Sequence, residues 1–155
     1  MTERTEAQAT SSRHHMLLLW ITFGLFCFRV AAQLIQRFAD LPFLPPFATW
    51  QSGALPYPVL LPLQLVLIGV MLWLTLRIRD RGLKPGRLRH RVVLTLGVVY
   101  VVVMVFRLVA GLTVLSHSYW FAAPVPTFFH FVLATYLLTV GFHLRRRARE
   151  AGMSG

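Results

Sequence analysis

Residues 16–36, which read MLLLWITFGLFCFRVAAQLIQ, decide the fold class of this chain. The segment is about 21 residues long, and Arg29 is its only charged residue. An α-helix rises 1.5 Å per residue, so a segment of this length crosses a hydrocarbon core of about 30 Å. We therefore predict that residues 16–36 form a transmembrane helix.

Three further apolar segments have the same character. They span about residues 55–76, 92–115 and 121–144, and each is long enough to cross a bilayer. A bilayer-spanning backbone must satisfy its own hydrogen bonds, and none of the segments alternates as a barrel strand does, so all four are predicted helices. With 56% hydrophobic residues and a mean hydropathy of +0.62, the 155-residue chain is too apolar for a soluble domain. The predicted fold is an all-α membrane protein, a four-transmembrane-helix bundle over residues 16–145.

The positive charges decide the predicted orientation. The net charge is +11, and most of the 16 Lys and Arg residues lie in three segments that flank the apolar runs. These residues are Arg4 and Arg13 before the first span; Arg77, Arg79, Arg81, Lys84, Arg87, Arg89 and Arg91 between the second and third; and Arg145, Arg146, Arg147 and Arg149 after the fourth. Because cytoplasmic loops carry the excess of Lys and Arg, both termini are predicted to be cytoplasmic. This clustering accounts for the charge, and nucleic acid is not an expected partner.

The ends of the chain are predicted to lie outside the bundle. The polar residues 1–15 are typical of a disordered cytoplasmic tail, and residues 146–155 of a basic cytoplasmic tail. The first span also resembles a secretory signal, an alternative that would leave three helices with the same loop orientations. The excess of Arg over Lys is typical of a GC-rich bacterial genome, so the expected location is the bacterial cytoplasmic (inner) membrane.

An internal repeat pairs the first span with the third and the second span with the fourth. Phe28–Ala31 (FRVA) matches Phe106–Val109 (FRLV) at an offset of 78. Pro58 matches Pro124 at an offset of 66. We therefore predict two similar helical hairpins in the same orientation, related by an axis along the membrane normal.

Four strongly polar side chains, one on each span, fall at one predicted depth. Arg29 and Arg107 occupy equivalent positions of the first and third spans, and Gln64 and His130 those of the second and fourth. A charged residue within a span is costly and marks a functional site by default. Helical spacing places two more polar side chains on the same faces. The predicted ligand-binding residues are Arg29, Arg107, Gln64, His130, Tyr100 and Gln33.

Small residues share these faces on the third and fourth spans. They are Gly97 and Gly111 on the third span and Ala134 and Gly141 on the fourth. Small side chains let neighbouring helices approach closely within a membrane. We expect the polar faces to meet inside the bundle for this reason.

The acidic residues lie outside the spans. They are Glu3, Glu6, Asp40, Asp80 and Glu150. Since burying a guanidinium without a partner costs several kcal/mol, we expect Asp40 to reach one arginine and the other to meet neutral acceptors, lipid phosphate or a ligand. An amphipathic ligand with an anionic or carbonyl-rich head, such as a lipid phosphate or a quinone, suits the guanidinium fork. Binding or moving such a ligand, without catalysis, is the predicted function.

Other interpretations stay open on the sequence alone. The arginine side chains are long enough to carry their charges to the lipid headgroups, with Gln64 and His130 bonding across helices only. The polar residues would otherwise contact another membrane subunit, in a homo-oligomer or as an accessory part of a larger complex. The proline-rich segment with Phe43, Phe47 and Trp50 either caps the polar residues or dips into the headgroups, where Trp rings are common.

No catalytic residue, cofactor or metal site is predicted. The sequence has no Cys, His and carboxylate cluster with metal-binding spacing, and Gln64 stands where a second haem ligand opposite His130 would be needed. A small intramembrane enzyme acting on a lipid phosphate, with His117 or His130 as the base, is the remaining alternative.

Overall fold

A computed structural model describes residues 2–51, 53, 55–80, 87–113 and 123–152, with the backbone alone for residues 2–12 and 87. These residues form four long helices and one short 3₁₀ helix, and no strand occurs among them. The elements are α1 (Thr2–Ala39), the 3₁₀ helix (Phe47–Trp50), α2 (Tyr57–Arg79), α3 (Arg87–Leu112) and α4 (Pro124–Glu150). Each long helix contains a stretch that is long and apolar enough to cross a membrane. The prediction of an all-α protein with four helices of membrane-spanning length is confirmed.

Proline residues determine where α2 and α4 begin. Pro58 and Pro124 occupy the first turn of their helices, where a residue without an N–H leaves no helical hydrogen bond unmade. The fourth helix begins at Pro124, before which Ala123 has an extended backbone, and the predicted start at residue 121 lies outside the described residues. The third helix ends at Leu112, and the predicted end at residue 115 lies outside the described residues.

Two helices continue past the segments predicted to cross the membrane. Helix α1 begins at Thr2, so residues 2–15, predicted to be a disordered tail, have helical backbone instead. Helix α4 likewise continues to Glu150, where the side chain of Arg146 donates from Nε to the Glu150 carboxylate at 3.3 Å. A helix that already exists can be extended without the cost of nucleation. The polar composition of these ends therefore does not show where the helices stop.

Helices α1 and α4 form the centre of the bundle. Helix α4 packs against α3 and α1, and α1 packs against α2. Within the described residues α2 and α3 do not pack against each other, and they are the least buried of the four helices. The consecutive pairs α1–α2 and α3–α4 are thus joined through the contact between α1 and α4.

An apolar core connects α1, α2 and α4. Its buried members are Leu19, Phe26, Val30, Met71, Ile78, Tyr136, Val140 and Leu144. Within this core Tyr136 donates its hydroxyl hydrogen bond to the backbone oxygen of Met71 at 2.6 Å, and Thr75 Oγ1 lies 3.0 Å from the same hydroxyl. Helix α2 therefore reaches α4 through a tyrosine side chain and not through close backbone packing.

Glycines let α3 and α4 approach each other. A Cβ atom at Gly97 would lie 2.9 Å from Leu138 Cδ2, and one at Gly141 would lie 2.8 Å from Leu94 Cδ2. Both distances are shorter than ordinary van der Waals contact. The prediction that small residues permit close helix packing is confirmed at these two positions.

Replacing Gly141 by valine is expected to destabilise the protein by about 1–3 kcal/mol, the usual cost of overpacking. The added side chain would overlap Leu94, whose backbone nitrogen lies only 3.2 Å from the Cβ position. Gly69→Val in α2 is the matched control, because nothing lies within 4 Å of its Cβ position. Unfolding by SDS titration in mixed micelles measures both variants, and equal stabilities would contradict the close packing of α3 on α4.

Candidate functional site

Arg29 on α1 is buried in the half of the bundle that contains the 3₁₀ helix. Its residual exposure is 8%. The guanidinium donates from Nη2 to the backbone oxygen of Trp50 at 3.2 Å, and its Cζ lies 5.5 Å from the ring centroid of Phe129. The Nε atom has no hydrogen-bond partner among the described residues. A cation is therefore held inside the protein by a carbonyl dipole and an aromatic face, both of them neutral.

Arg107 on α3 brings a second guanidinium to the same region. It is buried as well, with 2% exposure. Tyr100 precedes Arg107 by about two helical turns, so the two side chains lie on the same face of α3. Tyr100 and His130 link α3 to α4, since Tyr100 Oη and His130 Nδ1 form a hydrogen bond and the rings meet edge to face. The two arginines are thus buried, and the Tyr100–His130 pair between α3 and α4 is half-buried.

Gln33 and Gln64 form a second polar contact, between α1 and α2. Gln64 donates from Nε2 to Gln33 Oε1 at 3.2 Å, and the two side chains are 2% and 0% exposed respectively. Neither Gln33 Nε2 nor Gln64 Oε1 has a hydrogen-bond partner among the described residues. Since Gln33 follows Arg29 by one helical turn, the amide pair lies beside the buried guanidinium. We use the name buried polar cluster for the buried Arg29, Gln33, Gln64 and Arg107 together with the half-buried Tyr100 and His130.

The 3₁₀ helix covers the cluster where Arg29 meets it. The ring of Trp50 is 4% exposed and packs with Ala32, Phe129 and Val132. Its Nε1 donates to the backbone oxygen of Pro45 at 2.9 Å. The indole therefore packs within the protein and finds a hydrogen-bond acceptor there, whereas its depth relative to the lipid headgroups stays a prediction.

The carboxylate of Asp40 is hydrogen-bonded to a side chain from the end of α1. Its Oδ1 accepts from Gln36 Nε2 at 2.9 Å, and the Gln36 side chain also bonds to the backbone N–H of Leu41 at 3.0 Å. The only salt bridge between described residues joins Arg146 to Glu150. We expected Asp40 to reach one of the two arginines, but the described residues show no salt bridge from it to either, and its carboxylate is held by local bonds at the end of α1.

The sequence missed two groups that contact the cluster. The backbone oxygen of Trp50 and the face of Phe129 hold Arg29, and neither has a signal in residue type or spacing. Phe129 precedes a predicted site residue, His130, by one position, which is the only available clue. His117, the alternative base, lies outside the described residues.

The donors of the cluster suit an acceptor-rich polar group. Two guanidinium groups and a primary amide present N–H donors within one buried region. Among the residues that the structure describes, no three His, Cys, Asp or Glu side chains come close enough to hold a metal ion. Comparisons with protein-family models, curated proteins and solved structures find no match.

The amide pair gives a direct stability test. Changing both Gln33 and Gln64 to leucine is expected to leave the ligand-free protein at least as stable as the parent, because two buried groups without partners are removed together. Gln64→Leu alone is expected to cost about 1–3 kcal/mol, because it leaves the whole Gln33 amide without a partner.

A matched control is the pair Thr75 and Tyr136, whose hydrogen bonds are made. The double variant Thr75→Val, Tyr136→Phe is expected to lose about 1.2 kcal/mol, because it removes two interhelical hydrogen bonds that average about 0.6 kcal/mol each in membranes. The measurement is again SDS unfolding in mixed micelles. If the double leucine variant is less stable than Gln64→Leu alone, the two amides stabilise the helix packing, and the expectation is contradicted.

Proposed function

We propose that this chain is a small multi-pass membrane protein that binds or moves an amphipathic ligand with an anionic or carbonyl-rich head at the buried polar cluster. The observation that carries the proposal is the burial of Arg29 against neutral groups, with an N–H donor left over. An ionised group inside a bilayer is retained when it serves a partner, since its burial costs several kcal/mol otherwise.

The chemistry of the ligand follows from the donors. A guanidinium presents a planar fork of N–H groups that matches the oxygens of phosphate and carboxylate. A lipid phosphate or a quinone would meet this requirement and carry an apolar body that the surrounding lipid accepts. Arg29 and Arg107 would hold the head, and the other cluster residues would orient it.

The 3₁₀ helix has the position of a cap in this proposal. Trp50 closes the region over Arg29 and lends it a backbone oxygen. An incoming phosphate or carbonyl oxygen would replace that oxygen on the guanidinium, so ligand entry would release Trp50 from Arg29. Movement of the segment between α1 and α2 would then accompany binding.

The proposed setting is the bacterial cytoplasmic membrane, with both termini and the loop between α2 and α3 in the cytoplasm. The support is the distribution of basic residues in the sequence. The cluster would then lie in the outer half of the bilayer. The similarity of the hairpins α1–α2 and α3–α4 stays part of the proposal, supported by the equivalent positions of the two arginines.

An accessory role in a larger membrane complex is the second candidate. The observation in its favour is that α2 and α3 present most of their surface outward, where either lipid or another subunit can cover it. A reaction has less support, because His130 already uses Nδ1 in its hydrogen bond with Tyr100.

Native mass spectrometry of the protein released from lipid nanodiscs tests the ligand proposal. The parent is expected to retain at least one lipid or quinone, and the double variant Arg29→Ala, Arg107→Ala to lose it, because the donors for the head are gone. The control variant Arg79→Ala, Arg89→Ala removes the same charge from exposed positions at the ends of α2 and α3 where the basic loop begins. It should retain the species.

Circular dichroism and gel filtration establish that both variants are folded. Equal retention by the cluster variant and the control would overturn the ligand proposal. Stoichiometric co-purification of another membrane protein, lost in the cluster variant, would favour the accessory role instead.

A further inference from the structure

We infer that the head of the ligand carries a free hydroxyl group in addition to an anionic phosphodiester. The inference rests on the proposed function and narrows its ligand class. Three buried atoms carry it, namely Arg29 Nε, Gln33 Nε2 and Gln64 Oε1, none of which has a hydrogen-bond partner among the described residues.

The amide pair requires a donor as well as an acceptor. Its single hydrogen bond joins Gln64 Nε2 to Gln33 Oε1, so one NH₂ group and one carbonyl oxygen are left over. Exchanging the nitrogen and oxygen assignments of both amides leaves the same set, one donor and one acceptor. The requirement therefore does not depend on how the two amides are oriented.

A hydroxyl group satisfies both leftover groups at once. It donates to the carbonyl oxygen and accepts from the NH₂ group through its lone pairs. A quinone carbonyl or a choline head has no hydrogen-bond donor, so either one would leave the glutamine oxygen unsatisfied. An ammonium head has donors but would place a further cation beside Arg29, which like-charge repulsion opposes.

The anionic part of the ligand head would bind to the guanidinium of Arg29. Its guanidinium is buried, and its partners, the Trp50 oxygen and the Phe129 ring, carry no charge. A phosphodiester oxygen would supply the negative charge and an acceptor for Nε. Because Arg29 and Gln33 are one turn apart on α1, a head with a hydroxyl a few bonds from its phosphate reaches both. A glycerol phosphodiester has this shape.

Two lipids of equal charge separate the hydroxyl from the phosphate. Phosphatidylglycerol carries hydroxyl groups beyond its phosphodiester, whereas phosphatidylmethanol with the same acyl chains carries a methyl ester and no donor. Each is added in equal trace amounts to phosphatidylcholine nanodiscs, and native mass spectrometry compares the lipid retained. The parent protein is expected to prefer phosphatidylglycerol by about fivefold to tenfold, the effect of satisfying one buried acceptor.

Two variants test whether Gln64 is responsible for the preference for phosphatidylglycerol. Gln64→Leu is expected to abolish the preference for phosphatidylglycerol while retaining the binding of phosphatidylmethanol through Arg29. Thr75→Val is the matched control, because it removes another fully buried polar side chain from α2 and should keep the preference.

The outcomes distinguish the inference from the function on which it rests. Equal retention of both lipids by the parent, lost in Arg29→Ala, would overturn the hydroxyl requirement and leave the proposed function intact; a water molecule between the two amides would give this result. Displacement of phosphatidylglycerol by an equimolar neutral quinol would overturn the anionic requirement. Retention of no lipid and no quinone would overturn the proposed function itself.

Discussion

A guanidinium cation in the interior of a bilayer must find hydrogen-bond acceptors or a counter-charge, and Arg29 meets this constraint with neutral groups. The backbone oxygen of Trp50 and the face of Phe129 hold it. To provide them, the segment after α1 turns back onto the bundle and α4 brings an aromatic ring against α1. The positions of the 3₁₀ helix and of α4 are therefore tied to the burial of one charge, and the donor that remains is the observation from which we propose ligand binding.

The packing of the helices gathers the polar residues at the centre. Helices α1 and α4 lie in the middle, and each brings cluster residues to the interface with its outer neighbour: Gln33 meets Gln64 of α2, and His130 meets Tyr100 of α3. Close packing at Gly97 and Gly141 fixes α3 on α4, whereas Tyr136 spans a wider gap to α2. The amide contact between α1 and α2 leaves both a donor and an acceptor unsatisfied, which is why we propose that this side determines which ligand head is bound.

Much of the fold could be predicted from the sequence, because apolar runs of bilayer length allow few structures. The faces that carry Arg29 and Arg107 were predicted by helical spacing, and both residues are buried. The hydrogen-bond partners of the polar side chains could not be predicted. The sequence shows that Asp40 is the acidic residue available to the two arginines, but it does not show that Gln36 binds its carboxylate. The sequence also does not decide whether Trp50 covers the polar residues or dips into the headgroups, since an indole ring has a polar and an apolar side and suits either place. The helical continuations of α1 and α4 were not predicted, because a helix can propagate into a polar segment and the composition does not show this.

The contact between Arg29 and Phe129 tests the central claim most directly, because a guanidinium that reaches the lipid headgroups cannot also lie over a ring inside the bundle. Solid-state nuclear magnetic resonance on bilayer-embedded protein, with labelled arginine guanidinium groups and phenylalanine rings, measures this separation. A dipolar contact consistent with 5.5 Å between Arg29 Cζ and the ring centroid, lost in Phe129→Leu, is the predicted result. An Arg29 guanidinium that contacts headgroup or water protons and is unaffected by Phe129→Leu would contradict the account.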